Sequence, residues 1–340
     1  MKWRELLGSN LQRIRNYPGI SLFLLNLFLG ILLLLVRDPF GKFQNTYANA
    51  DPFFDLDPEK IQTIISGRKG QESILNRDLD GWTVHFAQDQ NAPGDRARIE
   101  ELIRTCLSMR KFTLLSDSNS QPSPLEEFGL DGDEPILEFK DVSGNSLGKI
   151  LLGARAPKSS GTYVMDEKNR IWLVKENLKL ATGAGKQDFF ISRNLIPDFP
   201  AREFVLEVNV SSASRAQMFS LVADGENWVL KVSGQEIQAD PEEAEAFIQS
   251  IKKLNADEVI LDKAEEIQSL PPKQDFKIEI KTSTDHYIIS PIGVTKLGSF
   301  VFRKKDLGYK LILDPWNLDP ILQKDLSEFA TRTLPTNKSF

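Results

Sequence analysis

The chain has 340 residues, 41% of them hydrophobic and 26% charged, with a formal net charge of −6 and a single cysteine. That composition excludes a disordered protein and a disulfide-stapled one, and a length of this kind accommodates two ordinary domains. One cysteine and two histidines leave no zinc site of the usual ligand spacing, and the acidic balance argues against nucleic acid as a partner.

The first 37 residues run against the average, with five Lys/Arg and one acid. Within residues 1–16, Trp3, Leu7, Leu11 and Ile14 recur at helical spacing, so this basic segment reads as an amphipathic helix on the cytoplasmic leaflet, with Trp3 as an interfacial anchor. A frayed basic tail is the other reading of the same pattern. Residues 17–37 contain an uncharged apolar run, ISLFLLNLFLGILLLLV, close to the ~20 residues that a bilayer-crossing helix needs. They are expected to form a transmembrane helix, and the basic flank places the N-terminus in the cytoplasm and the bulk of the chain on the extracytoplasmic side of the bacterial inner membrane. Ala48-Asn49-Ala50 resembles a signal-peptidase site but lies far past the apolar run, so an uncleaved anchor is preferred. Asn26 and Gly30 are four residues apart and share a face that suits packing against a partner helix.

After a linker over 38–57, the pattern becomes strand-like. Lys60 to Ser66 and Glu72 to Asn76 read as strands, and Asp80-Gly81 as a hairpin turn into Trp82 to Phe86. A helix then runs to Met109, with Ile99, Leu102, Ile103 and Cys106 on its apolar side, where Cys106 is expected to be a buried structural thiol. Strands follow at Lys111 to Leu115, 136–142, 148–153, 161–166 and 170–176.

The same series returns later. Strands at 203–210 and 217–232 form a second hairpin around Asp224-Gly225, closed by Trp228 with two residues inserted relative to Asp80-Gly81-Trp82. A helix over Pro241 to Leu254 and strands at 256–261, 275–281, 298–302 and 307–313 complete the set. The expected fold class is therefore α+β: a single N-terminal transmembrane helix followed by two tandem, duplicated modules, 58–197 and 202–335, each a mostly antiparallel sheet on one main helix. Because an aromatic returns in the same architectural slot, Trp82 and Trp228 are read as structural hairpin tryptophans that cover their sheets.

Several stretches carry a more specific likeness. LEEFGL (125–130) with Pro135 runs into ILEFKD, flanked by the DGW hairpin, GTYVMDEKNRIWLV and DFFISRNLIP. Together they resemble an uncharacterised bacterial family, a domain of unknown function, well over Phe53 to Pro197 and more weakly over Arg202 to Pro335. The second copy has Ile267 to Pro272 where the first has Phe-Gly-Leu. The resemblance implies a protein anchored by one N-terminal helix and encoded beside gliding-motility-type ABC transporter subunits. It supplies no catalytic residues.

Motifs that imitate active sites fail on context. Gly144-Asn145-Ser146-Leu147-Gly148 matches G-x-S-x-G but joins two strands rather than a strand and a helix. Gly183-Ala184-Gly185-Lys186 lacks the first Gly and the final Ser/Thr of a phosphate loop. Asp131 to Glu134 lacks calcium-loop spacing, and His85 reads as a structural strand histidine. The expectation is a non-enzymatic, membrane-anchored accessory subunit of an ABC-transporter-like complex, without cofactor or metal, whose ectodomain contacts other proteins. The alternative is a binding module for an envelope glycan, lipid or exported substrate.

Overall fold

A computed structural model of the protein describes residues 22–23, 25–30, 50–79, 81–86, 90–111, 113–116, 125–157, 161–196, 204–213, 217–261, 267–303 and 308–330. The first series of elements is β1 (Thr63–Arg68), β2 (Gln71–Asp78), β3 (Gly81–Phe86), β4 (Gln90–Pro93), α1 (Arg96–Ser108), β5 (Thr113–Ser116), β6 (Ile136–Lys140), β7 (Ser146–Arg155), β8 (Thr162–Asp166) and β9 (Ile171–Val174). The second is β10 (Val205–Ser212), β11 (Gln217–Asp224), β12 (Asn227–Val232), β13 (Gln235–Ala239), α2 (Pro241–Lys252), β14 (Glu258–Ile260), β15 (Phe276–Thr282), β16 (His286–Ile289), β17 (Gly293–Val294), β18 (Phe300–Arg303) and β19 (Lys310–Leu313).

Period-two burial makes these segments strands. In β3, Trp82, Val84 and Phe86 are buried while Thr83 and His85 between them are half-buried; β15 buries Phe276, Ile278 and Ile280 in the same way. The helices follow the 3.6-residue period. α1 buries Ile99, Leu102 and Cys106, and α2 buries Ala244, Phe247, Ile248 and Ile251. Each helix starts at an aspartate, Asp95 or Asp240, whose carboxylate accepts backbone N–H bonds from the first turn.

Strand order recurs between the two series. The first builds one nine-stranded sheet, β4-β3-β2-β1-β6-β7-β8-β9-β5; the second builds β13-β12-β11-β10-β15-β16 and, separately, β14-β19-β18-β17. Matched by position, these orders coincide if β16 and β17 together answer β7. In the first copy β7 runs for ten residues and pairs with β6 and β8 in turn. In the second, Pro291 falls between β16 and β17, and a residue without an N–H interrupts a ladder. The gap receives the segment that replaces LEEFGL, since Gln268 pairs with Val294 through bonds of 2.9 and 3.0 Å in both directions. In the first copy, Leu125–Phe128 instead lies beside β7 and β8: the Phe128 ring meets Tyr163 edge-on at 5.1 Å, and Gly153 leaves room for the Phe128 carbonyl.

The expected fold class needs correction. Strands hold 43% of the described residues against 24% in helices, so the chain is mostly antiparallel sheet. The expected transmembrane helix is not supported: no helix among the described residues is long and apolar enough to cross a membrane. Of the expected span over 17–37, residues 22–23 and 25–30 are described, and these are helical. Residues 1–16 with Trp3, the other span residues and most of the 38–57 linker lie outside the described residues. One apolar cluster draws on both copies, and the Phe86 and Tyr309 rings meet across them at 6.2 Å.

Candidate functional site: the cleft between the copies

A short crossing segment positions the site. Asp95 N–H donates to the Phe190 carbonyl at 2.7 Å, which ties the start of α1 to the chain leaving the first copy. That chain then pairs with the second copy: Ala256 N–H donates to the Arg193 carbonyl at 2.8 Å and Leu195 N–H to the Leu254 carbonyl at 3.0 Å. The N-terminus of α1, the Ser192–Asn194 crossing, the C-terminal end of α2 and the turn after β19 thus surround a cleft of about 960 Å³.

Its lining is charged and carries no aromatic ring. Arg98 is held by Asp95 at 3.1 Å, by the Phe189 carbonyl at 2.7 Å and by the Phe189 ring face at 5.1 Å. Burial, and next the neighbouring charge of Arg193, pull the Arg98 guanidinium below its ordinary value despite the opposing pull of Asp95 and Asp188. Arg193 donates from Nη1 to the Asp257 carbonyl at 2.7 Å, but its Nε is buried with no acceptor. The Asp257 carboxylate is engaged elsewhere, accepting from Asp314 N–H at 2.8 Å and from the Asn317 amide at 2.9 and 3.1 Å. Among the described residues, neither Arg193 nor Lys253 has a carboxylate within ion-pair distance. Two cations without a carboxylate partner therefore line the same cleft as the N-terminus of α1, where the helix dipole is positive.

The residues singled out in the sequence lie elsewhere. Trp82 is 9% exposed and packs beside Ile99, with Gly94 between them because any Cβ there would strike both side chains. Trp228 is half-buried at the margin of the core. Asn26 donates its amide to the Leu22 carbonyl at 3.0 Å within its own helix, and Gly30 has open space around it. Cys106 is fully buried, and burial first, with the Glu176 charge second, pushes its thiol far above the ordinary range.

Ser146 opens β7 after a turn organised by Asp141, whose carboxylate accepts from the N–H groups of Ser143 and Asn145 at 2.8 Å. That is a strand-to-strand turn rather than a nucleophile elbow. Asp133 pairs with Arg68 at 3.1 Å. Ala184 takes a positive φ in a short turn at Gly183–Gly185. His85 lies on the opposite face of β3 from Trp82 and Phe86, and His286 is exposed, 3.8 Å from Glu279. Among the described residues no three His, Cys, Asp or Glu side chains gather as a metal site requires. The sequence reading missed the cleft; its only trace there was the Arg193-Asn194-Leu195-Ile196 segment, noted as a family mark.

Residues 82–274 match the model of DUF4340, a domain of unknown function. The chain belongs to this family. The match starts inside β3 and ends just before β15, so it crosses both copies and takes in the cleft except for the turn after β19. No curated protein matches the chain. Among solved structures, the DNA polymerase III subunit beta sliding clamp of Bartonella birtlesii aligns at 9% identity over 82% of this chain and 63% of that one, less than two thirds of its length, with a TM-score of 0.13. The sliding clamp of Pseudomonas aeruginosa aligns at 8% identity over 82% of this chain and 97% of that one, with a TM-score of 0.11. Overlaps this poor carry no argument about the family's fold or function.

Proposed function

We propose that this family member is a non-enzymatic subunit of an ABC-transporter-like complex of the bacterial envelope, with the bulk of the chain extracytoplasmic and making contacts with other proteins. The observation that carries the reading is the apolar helix near the N-terminus. Leu22, Phe23, Leu25, Leu27, Phe28 and Leu29 are each 49–66% exposed. A surface of that kind costs about 25 cal/mol for every Å² left in water, so it calls for an apolar partner. The resemblance to proteins encoded beside transporter subunits favours a membrane-embedded one. Affinity purification of the tagged full chain from mild detergent, followed by mass spectrometry, is expected to recover a permease or auxiliary subunit; recovery of no membrane protein would overturn the proposal.

The cleft favours a second reading, a binding module for an envelope component or exported substrate. With no aromatic ring in its lining, it suits an anionic group better than the stacked face of a sugar. Ligand binding by the purified chain in the absence of any partner separates this reading from the first.

A further inference from the structure

We propose that the cleft between the two copies is an oxyanion-binding site, taking a phosphate or carboxylate group on Arg193 and Lys253 at the N-terminal end of α1. This goes beyond the partner-protein reading and stands or falls independently of it.

Four observations converge. The cleft of about 960 Å³ is large enough for a small ligand and lies where both copies contribute side chains. Its acids are already committed: Asp95 to Arg98 and to the helix cap, Glu100 to Arg96 at 2.6 Å, and Asp257 to Asn317 and the Asp314 N–H. Its remaining cations, Arg193 and Lys253, have no carboxylate partner among the described residues, which leaves positive charge on the cleft wall unneutralised. The bond from Arg193 Nη1 to the Asp257 carbonyl holds the guanidinium in place beside the cleft, which lowers the cost of ordering it around an oxyanion. The repulsion between Arg98 and Arg193 is consistent with this, since a bound anion would relieve it. The site is locally cationic in a chain whose net charge is −6, so general attraction of anions to the protein does not account for it.

The test is thermal unfolding and calorimetric titration of the full chain in mild detergent, with inorganic phosphate or acetate against sodium chloride at matched ionic strength. Phosphate is expected to raise the melting temperature above the chloride reference. Lys253→Gln, whose side chain makes no ion pair, should weaken phosphate binding about ten-fold, the loss expected for one charge-assisted contact. Arg193→Gln should weaken it at least as much, and Arg193→Lys should restore part of the loss. Lys277→Gln, on the outer face of the second copy where Lys277 pairs with Glu279 at 2.5 Å, serves as the control and should leave binding unchanged. Glycerol phosphate and phosphatidylglycerol vesicles then separate a soluble ligand from a lipid headgroup: whichever is bound in a Lys253-dependent manner names the source. Absence of any phosphate or acetate effect, or an equal loss in Lys277→Gln and Lys253→Gln, overturns the proposal.

Discussion

Trp82 and Trp228 hold the same register in the two copies, each directly following the residue that closes its hairpin. Gly81 pairs with Asp78 and Trp82 with Arg77; Asn227 pairs with Asp224 and Trp228 with Ala223. The two tryptophans differ in burial, with Trp82 inside the core and Trp228 at its margin.

That difference sets unequal costs for removing them. Trp82→Ala leaves a cavity against Ile99 and should destabilise the protein by about 3–5 kcal/mol, whereas Trp228→Ala should cost less than half as much. Chemical denaturation of both variants checks this. Equal losses would show that Trp82 is not the better-packed residue.

Asp95 and Asp240 form a second equivalent pair. Each caps its helix, and each donates its N–H to a phenylalanine carbonyl, Phe190 at 2.7 Å and Phe329 at 2.8 Å. Replacing either carboxylate by alanine should cost about 1 kcal/mol. Asp95→Ala should in addition free Arg98, which Asp95 holds at 3.1 Å, and so alter the salt dependence of stability more than Asp240→Ala does. Melting curves at low and high salt give the comparison; an identical salt response would refute the asymmetry.

Cys106 and Tyr309 make stability fall in alkali. Burial raises both groups above their ordinary values, so the folded chain keeps protons that the unfolded chain releases. Their contribution is complete below a pH of about 8.5, where an unfolded thiol starts to ionise, and declines as pH rises, by up to about 1.4 kcal/mol per pH unit for each group. Cys106→Ala should flatten the decline between pH 9 and 10. In the native protein the thiol should resist alkylation at pH 8 and react only on unfolding; rapid native labelling would contradict its burial.

Gly153→Ala tests the element found only in the first copy. The added Cβ would collide with the Phe128 carbonyl and lie 3.1 Å from Leu130 and from the Tyr163 carbonyl. A cost of about 1–3 kcal/mol is expected, together with faster amide exchange over 125–130 while β6 and β8 keep their protection. Unchanged exchange in that segment would show that it does not depend on the space at Gly153.

Much of the fold was legible because alternation and helical period are local. The strands around Trp82, the buried face of α1 and the recurrence of both could be read from single windows of sequence. The hairpin register was not. Asp-Gly stands in both copies, yet Gly81 already pairs in β3 while Gly225 lies in the turn with φ +64°, so the motif occupies different turn positions and the two inserted residues vanish on alignment by structure. The splitting of the second sheet was marked only by Pro291. The apolar stretch over 17–37 predicted a crossing helix by hydropathy alone, and no helix among the described residues is long and apolar enough to cross a membrane. The cleft could not be read at all: Arg98, Arg193 and Lys253 are far apart in the chain, and only the pairing of Arg193–Leu195 with Leu254–Ala256 brings them together.

The proposed function requires a membrane-embedded protein partner over the exposed apolar helix, and photo-crosslinking in living cells probes that contact in place. With a photoreactive residue in place of Asn26, one discrete adduct is predicted, whose second component is a transporter-type membrane subunit. The same residue in place of Met218, on the exposed second-copy sheet, serves as the comparison site. Adducts at position 26 with lipid alone, or no adduct at all, would rule out such a partner.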